Sequence, residues 1–263
     1  MSSRVLLVGY GRIGREVFAD YSVAFADDEL MVTDLNVNLI PPGYEWDGDP
    51  VNVAVVMVDT PAAEDAATFD YAALVGALYE FGPIAEFVLV RSTVSLDFLD
   101  LDVYRSNAQQ IGYSPEFYGT SRHSRRGELD LGFTIFTDNV PEWFALRACV
   151  GKRLMAPWRE AIVAKLAENA FLATKVTFFH ELYLACEQLG VDFDAVREMV
   201  TSDPRITPYH SFCDGQLIGW QSHCFDKDVR AFVGLDPDDG LWLVDAATWI
   251  NHGMLLPLRL DGR

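Results

Sequence analysis

Residues Arg4–Phe25 read RVLLVGYGRIGREVFADYSVAF, and three successive patterns in this stretch decide the fold. Val5–Val8 is a short, largely β-branched apolar run of the kind that forms a strand. It runs into Gly9-Tyr10-Gly11-Arg12-Ile13-Gly14, after which apolar residues recur at helical spacing through Ile13, Val17, Phe18 and Tyr21. The three glycines serve distinct physical ends, namely a tight turn, close approach of backbone to a pyrophosphate, and close packing of helix on strand. The helix start, Arg12 and Ile13 included, presents N–H groups and a positive dipole end to phosphates. A G-x-G-x-x-G alone is weak, but Asp34 stands 20 residues beyond Gly14, at the end of the apolar run Leu30–Thr33. A carboxylate there accepts from adenosine ribose hydroxyls and repels a 2′-phosphate, so NAD is expected in preference to NADP.

Outward from this stretch, Val51–Val58 is a near-continuous apolar run, as in a parallel strand buried on both faces. A helical pattern over Tyr71–Phe81, a strand over Phe87–Arg91 and a final strand near Phe133–Thr137 follow. This alternation predicts an α/β domain, a Rossmann-type doubly wound parallel sheet, over residues 1–157. After Pro157 the pattern becomes one long helical segment from Arg159 to about Leu189, closed by Gly190. At about 1.5 Å per residue it extends about 45 Å, so it bridges two bodies or packs against its own copy in a homodimer. Helices over Asp194–Thr201 and from Cys224–Asp228 complete a mainly helical domain over residues 158–263. The pattern after Asp236 is weak, and no element is assigned there.

A chain of 263 residues, 50% of them hydrophobic, can hold two domains. With 39 acidic and 20 basic residues the formal charge is −19, which disfavours nucleic acid and anionic membranes as partners. The cysteines at 149, 186, 213 and 224 form no CxxC pair or metal-site spacing, so reduced thiols and no metal are expected. The start of the chain is unlike a signal peptide and no stretch reaches about 18 apolar residues, so a soluble, cytoplasmic protein is expected. Arg122-His123-Ser124-Arg125-Arg126 is the one basic cluster, either an anion-attracting loop or a solvated one.

Lysine occurs only at 152, 165, 175 and 227, which sets apart any lysine inside a motif. Lys165 and Asn169 are four apart and share a helix face, where a cation and an amide can stabilise one alkoxide or oxyanion. Cys224 precedes a presumed helix start beside Lys227, a positive setting that favours a thiolate nucleophile. Cys149, Cys186 and Cys213 read as small buried hydrophobes.

Six segments occur in a fixed order: Val58-Asp59-Thr60-Pro61, Arg91-Ser92-Thr93-Val94, Ser114-Pro115-Glu116-Phe117, KLAENAFLA over residues 165–173, Asp203-Pro204-Arg205-Ile206 and Cys224-Phe225-Asp226-Lys227-Asp228. Over residues 4–232 they resemble the signatures of the UDP-glucose/GDP-mannose dehydrogenases. That resemblance implies oxidation of a primary alcohol of a sugar or nucleotide sugar to a carboxylate, through a cysteine thioester and with two NAD reduced. It gives Cys224 the role of nucleophile, Lys165 and Asn169 that of the oxyanion pair, and Asp228 that of ordering a water for proton transfer. Glu116 would assist thioester hydrolysis and Thr93 would hold the water network. Gly9, Gly11, Gly14, Arg12, Ile13, Asp34, Thr60, Pro61, Thr93 and Lys227 would lie against the cofactor. Arg205, Glu116 and Lys165 would face the substrate, Arg205 across a dimer interface.

The pattern departs from the family at several points. The sequence ends 35 residues after Asp228, where family members continue into a domain that grips the nucleotide, so a short form lacking it is expected. Gln221-Ser222 and His223 stand where the family has a glycine pair before its cysteine, and Tyr118-Gly119-Thr120-Ser121 replaces a segment with a second carboxylate. Two other functions stay open on the sequence: a non-catalytic or regulatory NAD-binding module, and a two-electron dehydrogenase of another small hydroxy compound.

Overall fold

The computed structural model describes residues 3–64, 68–119, 132–149, 151–213, 219–220, 224–236 and 240–255. Strands β1 (Val5–Val8), β2 (Leu30–Thr33), β3 (Val51–Val56), β4 (Ala85–Val90) and β5 (Ile111–Tyr113) form an all-parallel sheet in the order β2-β1-β3-β4-β5. Helices α1 (Arg12–Ala24), α2 (Ala72–Phe81) and α3 (Asp102–Arg105) connect its strands. This is the expected doubly wound sheet. Its strand order reverses between β1 and β3, the place where such sheets bind ligands beyond the carboxyl ends of the strands.

The central strands are apolar throughout because both faces are covered: Val5, Leu6, Leu7, Val53, Val55 and Val56 have no exposed surface. Val5, Leu7, Val53 and Val55 share a core with Val17 and Tyr21 of α1 and Phe144 of α4 (Glu142–Ala148). Each such aliphatic side chain contributes about 1.5–3 kcal/mol on burial.

Phe133–Thr137, expected as the last strand of the alternating series, is strand β6, but it pairs in parallel with β7 (Lys152–Ala156) in a separate two-stranded sheet. Side chains seal the edge of β5 beside it. The Tyr113 N–H donates to Thr137 Oγ1 at 2.8 Å, and Asn139 Nδ2 donates to the carbonyls of Ala108 and Ile111 at 3.0 and 2.7 Å.

The described residues up to Lys165 form one compact unit and those from Leu166 a second. Helix α5 (Trp158–Leu189) contributes to both. In its first two turns Trp158 stacks on Tyr113 with ring centroids 5.1 Å apart, and Ala161 and Ile162 are buried. The division therefore falls eight residues later than the change of pattern at Pro157.

In the second unit α5 ends at Gly190, whose φ of +67° suits a helix terminator. Helix α6 (Phe193–Thr201) is capped by Asp192, whose carboxylate accepts from the Asp194 and Ala195 N–H groups. Helices α7 (Phe225–Val233) and α8 (Trp242–Leu255) complete the unit. Ala170, Ala173, Trp220 and Val229 form one core cluster, joined by Phe225, Phe232 and Val244. Asn251 of α8, fully buried, accepts the Trp220 N–H at 2.5 Å and donates to the Trp220 carbonyl at 2.9 Å. The Trp220 indole N–H donates to Thr177 Oγ1 at 3.0 Å. Among the described residues no helix is long and apolar enough to cross a membrane.

Candidate active site

The glycine turn lies at the reversal point of the first unit. Gly9 follows β1 with φ +94°, and a Cβ on it would fall 2.6 Å from the Met57 carbonyl oxygen. A Cβ on Gly14 would run into the Gly9 carbonyl oxygen, so α1 packs onto the turn only without one. Gly11 differs, because a Cβ there meets nothing within 4 Å. Space is open at the amino-terminal end of α1, where Gly11 offers no side-chain cap and the first turn, with Arg12 and Ile13, carries no acidic residue. Asp34 follows β2 and reaches the same turn: its Oδ2 accepts the Tyr10 N–H at 2.6 Å and its Oδ1 the Asn36 N–H at 2.7 Å. Open amides, a positive helix end and an adjacent carboxylate fit the pyrophosphate and ribose of NAD.

The loops after β3 and β4 are stitched together beside this turn. The Thr60 hydroxyl donates to the Thr93 carbonyl at 2.8 Å, and the Ser92 hydroxyl to the Val58 carbonyl at 2.7 Å. Thr60 and Thr93 are both buried, while Pro61 stays exposed.

Glu116 and Lys165 meet in the interior of the same unit. Both are buried, with Lys165 Nζ 3.7 Å from Glu116 Oε1. The second carboxylate oxygen accepts the Tyr118 N–H at 2.9 Å. The ammonium also lies 4.8 Å from the centroid of the Phe117 ring, whose π face is the negative end of its quadrupole.

The second unit holds the remaining polar constellation. Asp228 is 1% exposed; its Oδ2 accepts from Asn169 Nδ2 at 2.5 Å and its Oδ1 from Lys227 Nζ at 2.8 Å. Cys224 caps α7 one turn earlier, half-buried, with its carbonyl accepting the Asp228 N–H at 3.1 Å. The four cysteines form no disulfide. Lys165 and Asn169, one turn apart on α5, thus meet different carboxylates, Glu116 and Asp228. Arg205 is 87% exposed and lies along Asp203, with Nη2 2.6 Å from a carboxylate oxygen.

His210 is the one non-glycine residue with positive φ among the described residues, at +60°, and its ring lies 6.1 Å from that of Phe225. Burial, then the charge of Lys175, pushes this imidazole below its ordinary range. Asn251 takes part in a buried network and belongs to no signal read in the sequence, while Arg91 and Tyr118, which stood in quoted segments without a role, take part in others. Gln221-Ser222-His223 and Arg122–Arg126 lie outside the described residues.

Residues 159–252 match the family model described as the central domain of the UDP-glucose/GDP-mannose dehydrogenase family. Over that stretch the chain is similar to the family. Curated relatives share partial stretches with this chain. The UDP-glucose 6-dehydrogenase of Pseudomonas aeruginosa is 43% identical over 75 residues, which is 28% of this chain and 16% of that protein. The UDP-glucose 6-dehydrogenase of Haloferax volcanii is 36% identical over 96 residues, 36% of this chain and 22% of that one. The matched segment thus spans less than a quarter of either relative. The fold extends further than the sequence likeness. A UDP-glucose dehydrogenase structure from Pyrobaculum islandicum superposes with a TM-score of 0.75 at 22% identity, covering 96% of this chain and 68% of that one. A UDP-D-ManNAc dehydrogenase structure from Pyrococcus horikoshii gives 0.72 at 20% identity, covering 95% and 68%.

Proposed function

We propose that this chain is an NAD-dependent dehydrogenase that oxidises a primary alcohol of a sugar, carried on a nucleotide, to the carboxylate. NAD supplies the hydride acceptor, twice per acid formed. Lys165 and Asn169 stabilise the alkoxide from which hydride departs. The Cys224 thiolate then adds to the aldehyde carbon; loss of a second hydride from the thiohemiacetal leaves a thioester on sulfur. Glu116 takes a proton from the water that attacks this thioester, and the thiolate of Cys224 is the leaving group. Asp228 holds Asn169 and orders a water that carries protons away.

The observation that carries this reading is the buried Asp228 carboxylate, bonded to Asn169 and Lys227 one turn beyond Cys224. Burying charged groups costs stability, and such arrangements concentrate where chemistry needs them. A homodimer through α5 belongs to the same proposal: Phe171 and Phe178, seven apart on one face of the helix, are 67% and 56% exposed. A monomer by sedimentation would remove that part.

The test is product analysis with NAD and a panel of UDP- and GDP-sugars. Wild type is expected to form the sugar acid, and both Lys165→Ala and Cys224→Ser to abolish it. Acid formation undiminished in Cys224→Ser would exclude the thioester route. No NADH from wild type on any sugar of the panel would favour an NAD-binding module.

A further inference from the structure

We infer that Tyr118 is a positioning residue that fixes the Glu116 carboxylate against Lys165 by tying its loop to the nucleotide-binding helix. This rests on the dehydrogenase reading, in which Glu116 activates the hydrolytic water. Residues 114–118 leave β5 as an irregular segment, and an irregular segment holds a carboxylate steady only where its neighbours are fixed. Here they are fixed from both sides. On the amino-terminal side Arg91, with no exposed surface, donates from Nη1 to Ser114 Oγ at 3.2 Å. On the carboxy-terminal side the Tyr118 hydroxyl donates to Asp20 Oδ2 at 2.9 Å, and Asp20 is a buried residue of α1. The Arg91 guanidinium carbon also lies 6.0 Å from the centre of the Tyr118 ring.

Tyr118 then acts on Glu116 through its own backbone. Its N–H holds Glu116 Oε2 at 2.9 Å, which leaves Oε1 toward Lys165 at 3.7 Å. A shift of the Tyr118 backbone would carry this N–H with it and turn the carboxylate. The phenol is needed for its hydroxyl as well as for its bulk: a phenylalanine ring fills the same space but leaves Asp20 without this donor. The helix that carries Asp20 begins at Arg12, directly after its N-cap Gly11, so this tether links the carboxylate's loop to the dinucleotide turn.

Tyr118→Phe should lower kcat for acid formation about tenfold, since modest misplacement of a reacting group is costly, and leave KM for NAD unchanged. The decisive comparison is with Glu116→Gln. If Tyr118 works through Glu116, Tyr118→Phe has no further effect in a Glu116→Gln background, whereas a merely structural contribution multiplies. Asp20→Ala provides a second variant, expected to reproduce the loss and to add nothing to Tyr118→Phe. The inference is overturned if Tyr118→Phe and Asp20→Ala both keep wild-type kcat, or if the Tyr118→Phe loss persists undiminished in Glu116→Gln. A wild type active on nucleotide sugars but indifferent to Glu116→Gln overturns it too while leaving the dehydrogenase reading in place; a wild type inactive on the whole panel overturns both.

Discussion

Replacing Asp228 by alanine takes a carboxylate out of a site where it is 1% exposed and already engaged by both oxygens. The Lys227 ammonium, its side chain 10% exposed, loses the carboxylate 2.8 Å away, and Asn169 Nδ2 loses this acceptor. Hydrogen bonds to a charged group contribute about 1.5–3 kcal/mol each, and removing one partner of a buried ion pair costs about 3–5 kcal/mol. The two contacts share one carboxylate and do not add, so a loss of about 3–5 kcal/mol is expected for Asp228→Ala. Asp228→Asn should cost less, about 1.5–3 kcal/mol, because an amide oxygen can still accept from Lys227. Its NH2 then faces Asn169 Nδ2, and the clash of donors is relieved only if Asn169 turns over and offers its oxygen instead. Asp228→Asn is therefore expected to reduce turnover by more than its effect on stability. Hydrogen exchange of the α5 and α7 amides reads the local opening free energy directly. A change below about 1 kcal/mol in Asp228→Ala, with turnover intact, would refute the assignment of this carboxylate as the anchor of Asn169.

Further perturbations test other parts of the structure. Gly14→Ala drives a methyl group into the Gly9 carbonyl; a loss of about 1–3 kcal/mol and of NAD binding is expected by urea unfolding and calorimetric titration. Asn251→Ala leaves the backbone N–H and carbonyl of Trp220 without the side chain that now satisfies both, at about 1–3 kcal/mol in urea unfolding. The third concerns Glu29, whose carboxyl the Arg147 guanidinium, then the Ala26 N–H, hold down at about 2 from an ordinary value of 4.5. Because the folded value is depressed, this contribution is complete above about pH 4.5 and is lost as pH falls toward 2. Arg147 being one-third exposed, it is worth about 1–2 kcal/mol after screening. Glu29→Gln should flatten the fall in urea midpoint between about pH 5 and pH 2; equal slopes in both proteins would contradict the pairing.

What the sequence disclosed follows the range of the forces involved. The turn Gly9–Gly14 is legible because its constraints are local: a positive φ at Gly9 and a strand and helix too close for a Cβ at Gly14. The central strands and α5 are legible because burial on both faces, or along 32 helical residues, leaves a long apolar pattern. Strand β5 has only three residues, one of them Gly112, and the partly exposed β7 has no clean alternation. Helix α8 carries Trp242, Leu243 and Trp249 on its exposed surface, which blurs the contrast between its faces, while its buried anchor Asn251 bonds a residue 31 positions earlier. In the candidate site Lys165, Asn169, Cys224 and Asp228 stood out through motif and spacing. Which of them pair did not, because Asn169 and Asp228 are 59 residues apart, and the tie between Tyr118 and Asp20 spans 98. Contacts at such separations are products of the fold and leave no periodicity.

The proposed chemistry turns on Cys224 carrying the sugar through a second oxidation, and counting electrons probes that step without an intermediary. With a nucleotide sugar that supports turnover, NADH and acid are quantified in the same reaction. Two NADH for each carboxylate are expected and, in Cys224→Ser, no acid. One NADH per product, with aldehyde or ketone accumulating and the cysteine variant as active as wild type, would contradict the thioester route.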